Sequence, residues 1–461
     1  MKKTEEKATK KSVKVSEEYK QGTRFIVILA VIGIMLITLV GYVVYLEMYG
    51  KYAYMEDTKS ETVQEKVLKG EITSADGEVL LWNKWITSVE QEERKSDDYD
   101  DVFLPLLDGV KTNMAKEYTG IGELLENKYE AKGENIQLTI HADLQRKAHE
   151  IFHAKNPNNL GAVVALDPNT GEILCAYTHR IAIDGVLTQR NVAFEAAYAP
   201  GSTMKVLWAG AAMDERKTID EHKPFDKPDY YGVRNLSGNK VRADIPKTVD
   251  MEKAVQYSVN TYFAQLAVEE FNADLMCKYA DKLFLGRTLN VAGYGEVKGS
   301  LDKGEDGIAH LQNWGIGHEM RVSPLHMAML AATVANDGVV LEPYLVNQSV
   351  RYNEEVSFKN YTKNAGRLFR SGTAKKLKNY MILVANAPGG TAYGRATSRV
   401  TKIAGKTGTA NNNDAWFIGF APANNPKIAV AVFVEKGGGG GAVAAPIAKE
   451  LIEYYITSEG K

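Results

Sequence analysis

Apolar and polar residues follow regular spacings in the first third of the chain, and each spacing predicts a type of element. Residues 70–81 have the pattern of strands joined at Asp76-Gly77, and residues 135–140 have the pattern of a strand before a helix. A helical spacing occurs near residues 121–129. The acidic run at residues 90–101 has neither spacing, which is typical of a solvated loop.

From Gly161 onwards the pattern predicts one larger α+β domain. GAVVALDPNTGEILCAYT reads as two strands joined by a turn that ends at Gly171. The order of hairpin, helices, strands and final helix predicts an antiparallel sheet covered by helices, without internal repeats. The further predictions are helices around 202–215, 251–271, 323–335 and 443–455, strands at 401–409, 415–421 and 427–435, and a flexible glycine segment at 437–441.

One segment has the composition of a membrane span. Residues 25–46 read FIVILAVIGIMLITLVGYVVYL without a charge, and about 20 apolar residues suffice to cross a bilayer. A cleaved signal peptide is the alternative, but the apolar run is too long and no small-x-small site follows it. Because basic residues favour the cytoplasmic side, we expect the N-terminus inside and everything after about Glu47 outside. These basic residues are Lys2, Lys3, Lys7, Lys10, Lys11, Lys14, Lys20 and Arg24.

Composition narrows the function classes for the 461 residues. The formal net charge of −2 suggests no nucleic-acid partner. Cys175 and Cys277 make no disulfide framework, and no Cys/His cluster has zinc spacing, so neither a metal nor a cofactor is predicted. The predicted organisation is a cytoplasmic tail (1–24), a transmembrane helix (25–46), an extracellular pedestal (47–150) and a catalytic domain (151–461).

The first candidate for chemistry is Ser202 in the segment PGSTMK. Pro200-Gly201 breaks the chain and an apolar helical run follows, which predicts Ser202 at a helix N-terminus with Lys205 on the same face. A serine hydroxyl becomes a good nucleophile when a neighbouring base takes its proton, and a neutral lysine is such a base. The free N–H groups of a helix N-terminus also suit a developing oxyanion.

Ser-x-x-Lys alone is a weak signal, because this chain contains it four times. The other copies begin at Ser237, Ser300 and Ser458, in loop-like or terminal surroundings. Only Ser202 opens an apolar helix. Taken by itself, Ser202 is also compatible with a plain helix-capping serine.

The second candidate is Ser258-Val259-Asn260, which lies within the helical pattern MEKAVQYSVNTYFAQLAVE. A hydroxyl and an amide two residues apart suit a polar cleft edge. Ser258 would relay a proton between Lys205 and a leaving group, and Asn260 would hold Lys205 or a substrate amide. The alternative is a polar helix edge, or a loop between two helices.

The third candidate is Lys406-Thr407-Gly408-Thr409 at the end of a strand pattern, the single Lys-Ser/Thr-Gly in the chain. Gly408 would let a substrate backbone lie against the strand. Lys406 and the hydroxyls of Thr407 and Thr409 suit a carboxylate, and the Thr409 N–H suits an oxyanion. An edge-strand lysine that discourages aggregation is the alternative.

Together the three elements occur in the order that is typical of penicillin-binding proteins and class A β-lactamases. The chain resembles the monofunctional, class B penicillin-binding proteins over much more than these motifs, from about Asn135 to Tyr455. The segments that carry the resemblance are GAVVALDPNTGEIL, RNVAFEAAYAPGSTMK, NWGIGHEMRVSPLHMAMLAATVANDG and AGKTGTANNNDAWFIGFAP.

The resemblance implies a penicillin-binding, serine β-lactamase-like fold and a peptidoglycan cross-linking D,D-transpeptidase. Ser202 would attack the penultimate carbonyl of a stem peptide ending in D-Ala-D-Ala, and the acyl group would pass to an amine on a neighbouring strand. β-Lactams would acylate the same serine. Lipid-linked glycan strands are implied partners. The resemblance also implies a polytopic membrane glycosyltransferase that polymerises these strands, because the short pedestal leaves no room for a polymerising domain.

Two stretches depart from the family pattern. Residues 69–77 keep only loosely the Arg-Gly-x-Ile-x-Asp-Arg-x-Gly stretch, and Gly317-His318-Glu319 stands where the family usually has Gly-Gln-Gly. These departures concern pedestal partners and substrate trimming more than acylation. A D,D-carboxypeptidase, a β-lactamase, a β-lactam sensor and an inactive scaffold remain alternatives. The first two differ from a transpeptidase in using water as acceptor.

Overall fold

The computed structural model describes residues 35–36, 38, 70–85, 91–108, 110, 134–183, 186–187, 190–195, 198–224, 229–230, 233–237, 240–241, 244–301, 307–351 and 354–458. The chain divides into two compact units. The first consists of Met1–Val67, Thr87–Glu90 and Gly120–Ala131, and only residues 35, 36 and 38 of it are described, all helical. The second consists of Leu68–Ile86, Gln91–Thr119 and Lys132–Lys461, and it contains every element given below.

The predicted membrane span is almost entirely outside the described residues, as is the helix predicted near residues 121–129. Among the helices that the structure does describe, none combines the length and the hydropathy needed to cross a bilayer. Both elements therefore stay predictions.

A five-stranded antiparallel sheet, the main sheet, forms the centre of the second unit. Four of its strands are buried along their whole length, and three of these are continuous apolar runs such as IAVAVFV. The predicted antiparallel sheet is thereby confirmed. In order across the sheet, the strands are Ala404–Thr409, Ala415–Ala421, Ile428–Val434, Gly161–Leu166 and Ile173–His179.

Helices cover the main sheet on both faces, as its buried strands require. Helix Pro324–Ala335 contacts the three central strands and is buried nearly all round. Helices Ala142–Lys155 and Ala444–Ser458 contact each other and the sheet. Further α-helices of the described part of this unit are Lys205–Glu215, Met251–Gln256, Asn260–Gln265, Ala273–Lys282, Ile308–Gly315 and Ser371–Asn386, and residues 104–108 are also helical.

A mixed six-stranded sheet, the outer sheet, joins the start of the second unit to a late part of the chain. Strand Asn135–Leu138 pairs in parallel with Ile72–Thr73 and antiparallel with Val346–Val350. The predicted turn at Asp76-Gly77 is present, and Gly77 has φ +85°. The strand order is Val356–Lys359, Val346–Val350, Asn135–Leu138, Ile72–Thr73, Val79–Trp85 and Gln91–Lys95.

Two predictions of local structure were wrong. The acidic run is not a loop, because Gln91–Lys95 pairs with Val79–Trp85 and Tyr99–Phe103 forms a π-helix. The pattern at 251–271 is not one helix, because it is interrupted at Ser258 and continues as a π-helix at Leu266–Glu270. At residues 91–95 pairing with the preceding strand outweighs the acidic composition, and at Ser258 a left-handed backbone interrupts the helical pattern.

The division predicted at residue 150 stays a prediction. It falls within helix Ala142–Lys155. The remaining short strand pairs are Ala182–Ile183 with Val186–Leu187, Asp229–Tyr230 with Val233–Arg234, Leu236–Ser237 with Lys240–Val241, Thr288–Val291 with Gly295–Lys298, Ser300–Leu301 with Met320–Arg321, and Val339–Glu342 with Lys363–Arg367.

Candidate active site

Ser202 lies in a tight turn that leads into a helix. Gly201–Met204 form a 3₁₀ turn, and the α-helix begins at Lys205. Ser202 is partly exposed, whereas Gly201, Thr203 and Lys205 are buried. The position that caps the α-helix is Met204, so the structure does not use Ser202 as the plain cap that its local sequence also allowed.

Two glycine contacts hold this turn against the Lys-Thr-Gly strand. Gly201 has φ +54°, and a Cβ there would lie 2.7 Å from the Thr409 carbonyl oxygen. A Cβ on Gly408 would lie 2.8 Å from the Pro200 carbonyl oxygen. The close approach at Gly408 is therefore to the serine turn, while its expected contact with a substrate stays a prediction. Ser202, the residue after Gly201, therefore lies beside the strand end.

Ser258 connects the other two motifs through its backbone conformation. It lies between helices Met251–Gln256 and Asn260–Gln265 with φ +55°. The Ser258 N–H donates to Val255 and the Val259 N–H donates to Ala254. This left-handed residue interrupts the helical backbone, so the two helices are not one continuous helix.

Four of the predicted side chains meet in one hydrogen-bonded cluster. Lys205 Nζ donates to Asn260 Oδ1 at 2.5 Å, to the Ser258 carbonyl at 3.0 Å and to Ser258 Oγ at 3.3 Å. Lys406 Nζ donates to Ser258 Oγ at 2.9 Å and to the Thr407 carbonyl at 2.8 Å. Both lysines are completely buried. One hydroxyl therefore lies between two buried lysines.

The electrostatics of this cluster act in opposite directions. Burial and a second cation both favour the neutral amine of Lys205. The acceptors Asn260 Oδ1 and the Ser258 carbonyl favour its ammonium form. Because Ser258 Oγ contacts both nitrogens, a proton can move between them without crossing solvent.

The side-chain amide of Asn260 is held, on the side away from Lys205, by the segment that contains Arg234. Its Nδ2 donates to the Arg234 carbonyl at 2.8 Å. The next residue, Thr261, accepts at Oγ1 from Asn235 Nδ2 at 2.8 Å, and its N–H donates to Asn235 Oδ1. Asn260 is thus oriented towards Lys205 by contacts that leave its oxygen as the acceptor.

The threonines of the third motif contact Thr391, which no motif indicated, and the glycine segment 437–441. The hydroxyls of Thr407 and Thr391 are 2.5 Å apart, and Thr409 Oγ1 accepts from the Gly440 N–H at 3.3 Å. The glycine segment is needed there, because a Cβ on Gly440 would lie 2.2 Å from the Gly408 carbonyl oxygen. Apart from neighbouring glycines, the residues around Thr391 form no motif. Its place beside Thr407 is therefore seen only in the folded structure.

The turn Gly317-His318-Glu319, which departs from the family pattern, adjoins the turn that contains Ser202. The Gly201 N–H donates to the Gly317 carbonyl at 3.0 Å, which links the two turns directly. Burial, followed by the positive charge of Lys205, lowers the pKa of His318. Glu319 occupies a left-handed conformation with φ +56° and accepts from Asn313 Nδ2 at 2.7 Å.

Comparisons with known proteins agree with the resemblance seen in the sequence. Residues 161–453 match the family model described as the penicillin binding protein transpeptidase domain. The chain is 30% identical over 365 residues to peptidoglycan D,D-transpeptidase PbpA of Mycolicibacterium smegmatis, covering 70% of this chain and 72% of that protein. It is 26% identical to peptidoglycan D,D-transpeptidase MrdA of Haemophilus influenzae, covering 72% of this chain but only 58% of MrdA.

Solved structures agree on the fold. Penicillin-binding protein A from M. tuberculosis, solved as an imipenem acyl-enzyme complex, superposes with a TM-score of 0.70 at 25% identity, covering 84% of this chain and 99% of that one. The D,D-transpeptidase domain from Eggerthella lenta gives 0.69 at 22% identity, covering 86% and 99%. The chain belongs to the penicillin-binding protein transpeptidase family. Within it, the chain is a class B penicillin-binding protein.

Proposed function

We propose that this protein is a peptidoglycan D,D-transpeptidase that forms an acyl-enzyme at Ser202. The observation that carries the proposal is the Ser258 hydroxyl between Lys205 Nζ at 3.3 Å and Lys406 Nζ at 2.9 Å. This arrangement provides a proton path beside the serine turn. The relatives MrdA and PbpA are named as peptidoglycan D,D-transpeptidases, which supports the same reaction class.

In the acylation step, Ser202 Oγ attacks the carbonyl of the penultimate D-Ala of a stem peptide. Neutral Lys205 takes the hydroxyl proton, and the N–H groups of Ser202 and Thr409 stabilise the oxyanion. Collapse of the intermediate breaks the amide bond. The leaving D-Ala amine gains its proton through Ser258, and Ser202 keeps the acyl group as an ester.

In the transfer step, an amine of a second stem peptide attacks that ester. The amine gives up a proton to the cluster as the new amide forms, and Ser202 Oγ is released with a proton. Lys406, Thr407 and Thr409 would bind the terminal carboxylate of the donor peptide. A β-lactam would enter the same steps and stop at the ester.

Labelling with a fluorescent penicillin tests the acyl-enzyme. We expect the wild type to be labelled and Ser202→Ala not to be labelled. Lys205→Met should abolish labelling while the protein keeps its fold, measured by circular dichroism and melting temperature. An unlabelled wild type, or a Ser202→Ala protein labelled to the same extent, would contradict the proposal.

A release assay then separates transfer from hydrolysis. The enzyme is given a D-Ala-D-Ala peptide with and without an amine acceptor, and both D-Ala and the acyl product are quantified. Transpeptidation predicts a new amide product that grows with acceptor concentration. Release of free acid alone, whatever the acceptor, would indicate a D,D-carboxypeptidase.

We further propose how the chain is placed across the cell membrane. The apolar segment 25–46 and the basic residues before it support a single membrane helix with a cytoplasmic N-terminus. Residues 47–150 would then form a short pedestal and residues 151–461 the catalytic domain, both outside the cell. Lipid-linked glycan strands would reach the site from a polytopic membrane glycosyltransferase.

A further inference from the structure

One loop beside the cleft has a surface that acylation does not use. We call residues 388–402, between helix Ser371–Asn386 and strand Ala404–Thr409, the rim loop. The Pro388 carbonyl accepts from Gln256 Nε2 at 2.9 Å, and Thr391 contacts Thr407 at 2.5 Å. A Cβ on Gly389 would lie 2.4 Å from the Tyr257 ring. The loop is therefore continuous with the edges formed by the Ser258 and Lys406 motifs.

The rim loop is held in place by hydrogen bonds to the helix before it. The Ala392 N–H donates to the Val384 carbonyl at 3.1 Å, and Thr397 Oγ1 donates to the Ala385 carbonyl at 2.7 Å. Within the loop, the Gly394 N–H donates to Thr397 Oγ1 at 2.9 Å. Because these bonds fix the backbone of the loop, little backbone entropy is lost when its outer side chains bind a ligand.

Those outer side chains combine positive charge with apolar surface. Arg395, Arg399 and Lys402 are exposed, and none of them has an ion-pair partner within the described part of the chain. Tyr393 is 50% exposed and Val400 is 47% exposed, so apolar surface lies beside these charges. Such a surface suits a ligand that carries both carboxylates and apolar faces.

The charge around the loop is strongly one-sided. Residues 356–413 contain eleven Lys and Arg but no Asp or Glu, in a chain whose formal net charge is −2. A field of one sign next to a cleft attracts anionic ligands and orients them.

We propose that the rim loop binds a second peptidoglycan strand, through the carboxylates of its stem peptides, and so positions the acceptor for transfer. This inference rests on the proposed function, because only a transferase needs a second strand. Arg395 and Arg399 would pair with carboxylates, since the guanidinium fork fits them in two-point contact. Tyr393 and Val400 would pack on the apolar faces of the sugar and alanine groups.

The test measures binding to insoluble peptidoglycan with the full-length protein in detergent. The protein is first acylated with penicillin, so that the cleft is filled and binding reports only the outer surface. Sacculi stripped of attached phosphate polymers are used at about 50 mM and about 500 mM salt, because screening weakens exposed ion pairs. Arg395→Glu/Arg399→Glu is compared with Lys375→Glu/Lys376→Glu, an equal charge change on exposed residues of the preceding helix.

We expect the rim-loop double variant to bind stripped sacculi about tenfold more weakly at low salt, since two attractive contacts become repulsive. The helix double variant should stay within about twofold of the wild type. Amidating the carboxylates of the sacculi should remove the difference between the variants. Melting temperatures of all three proteins are compared, and a variant that melts early is replaced by Arg395→Gln/Arg399→Gln.

Other results of these binding and acylation measurements would contradict one of the two proposals. Equal binding by both double variants, or binding that requires the phosphate polymers, would overturn the rim-loop proposal. Absence of penicillin acylation in the wild type would instead overturn the proposed function. The two failures are therefore distinguished in the same preparations.

Discussion

The Ser258 hydroxyl shows how one residue can join three motifs. It accepts from lysines that lie on a helix and on a strand, and it reaches both because its backbone is left-handed with φ +55°. A serine in this conformation costs about 1 kcal/mol relative to glycine. The protein keeps the strained residue where a glycine would fold more easily, which is consistent with a catalytic role.

This role predicts the behaviour of two substitutions. Ser258→Gly removes the hydroxyl and relieves the backbone, whereas Ser258→Ala removes the hydroxyl and keeps the strain. Both should slow penicillin acylation about 100-fold or more, because a positioned proton carrier contributes about 10²–10⁴ in rate. The measurement is the second-order rate constant of labelling.

The matched control for this prediction is Ser371→Ala, at the start of a helix remote in sequence from the three motifs. It should be acylated at the wild-type rate. If Ser258→Gly is acylated within threefold of the wild type, Ser258 is not part of the proton path.

At the scale of elements, Arg146 ties helix Ala142–Lys155 to two segments that precede it in the chain. Its guanidinium donates to both carboxylate oxygens of Glu78 and pairs with Asp98. The three side chains are each about one third exposed. Two-point pairing to two carboxylates in a half-buried place is stronger than an ordinary surface ion pair.

Arg146→Met should therefore lower the free energy of unfolding by about 1–2 kcal/mol. Lys147→Met is the control, because Lys147 makes an exposed pair with Glu150 on the same helix and should contribute about 0.5 kcal/mol or less. Chemical denaturation of the two variants measures both values. Equal losses would mean that the Arg146 contacts are ordinary surface pairs.

The same helix carries His149 and His153, two of the three histidines that cluster around Tyr177, and the third is His179. Tyr177 Oη lies 3.0 Å from His149 Nδ1 and 2.8 Å from His179 Nδ1, and His179 Nε2 donates to the Pro157 carbonyl at 3.0 Å. Burial is the main cause that lowers the pKa of both His149 and His179, and His153 adds to it. Asp98, Asp101 and Glu150 act in the opposite direction on His149.

A lowered histidine pKa makes stability depend on pH in a definite direction. Near the ordinary value of 6.5, the unfolded chain binds more protons than the folded one, so the free energy of unfolding falls as pH falls below 6.5. His149→Gln/His179→Gln should flatten this slope in melting curves between about pH 7 and 5. His141→Gln, just before the helix, should keep it. An unchanged slope in the double variant would refute the assignment.

At the scale of the whole molecule, the start and the later part of the second unit fold together. Strand Asn135–Leu138 pairs with Val346–Val350, so the outer sheet cannot form from the first half of the chain alone. Loss of either strand would leave an unpaired edge in a mixed sheet. The two parts of this unit that contribute strands to the outer sheet are therefore coupled in folding.

The proposed membrane anchor yields a prediction on the same scale. The full chain should remain in the membrane fraction after a high-salt wash and be released by detergent, because hydrophobic insertion is not screened by salt. The chain that begins at residue 47 should be released without detergent and still be labelled by penicillin. A full chain that high salt alone releases would exclude a transmembrane anchor.

The sequence alone predicted the local features of the main sheet. Residue pattern located its strands to within about three residues, because apolar runs bounded by turn residues report burial directly. The three motifs were also recognised from residue type and order. Few other functions require serine, lysine and threonine in all three of these motifs together.

Only the tertiary structure decided which partners these residues have. The Ser258 hydroxyl meets lysines that are 53 and 148 residues away in the chain. The contact of Thr391 with Thr407 and the strand within the acidic run join nearby segments, but the residue pattern did not indicate their pairing. Periodicity shows which face of a segment is buried, but it does not show against what that face packs. The position of a hydroxyl between two lysines is therefore a property of the packed molecule.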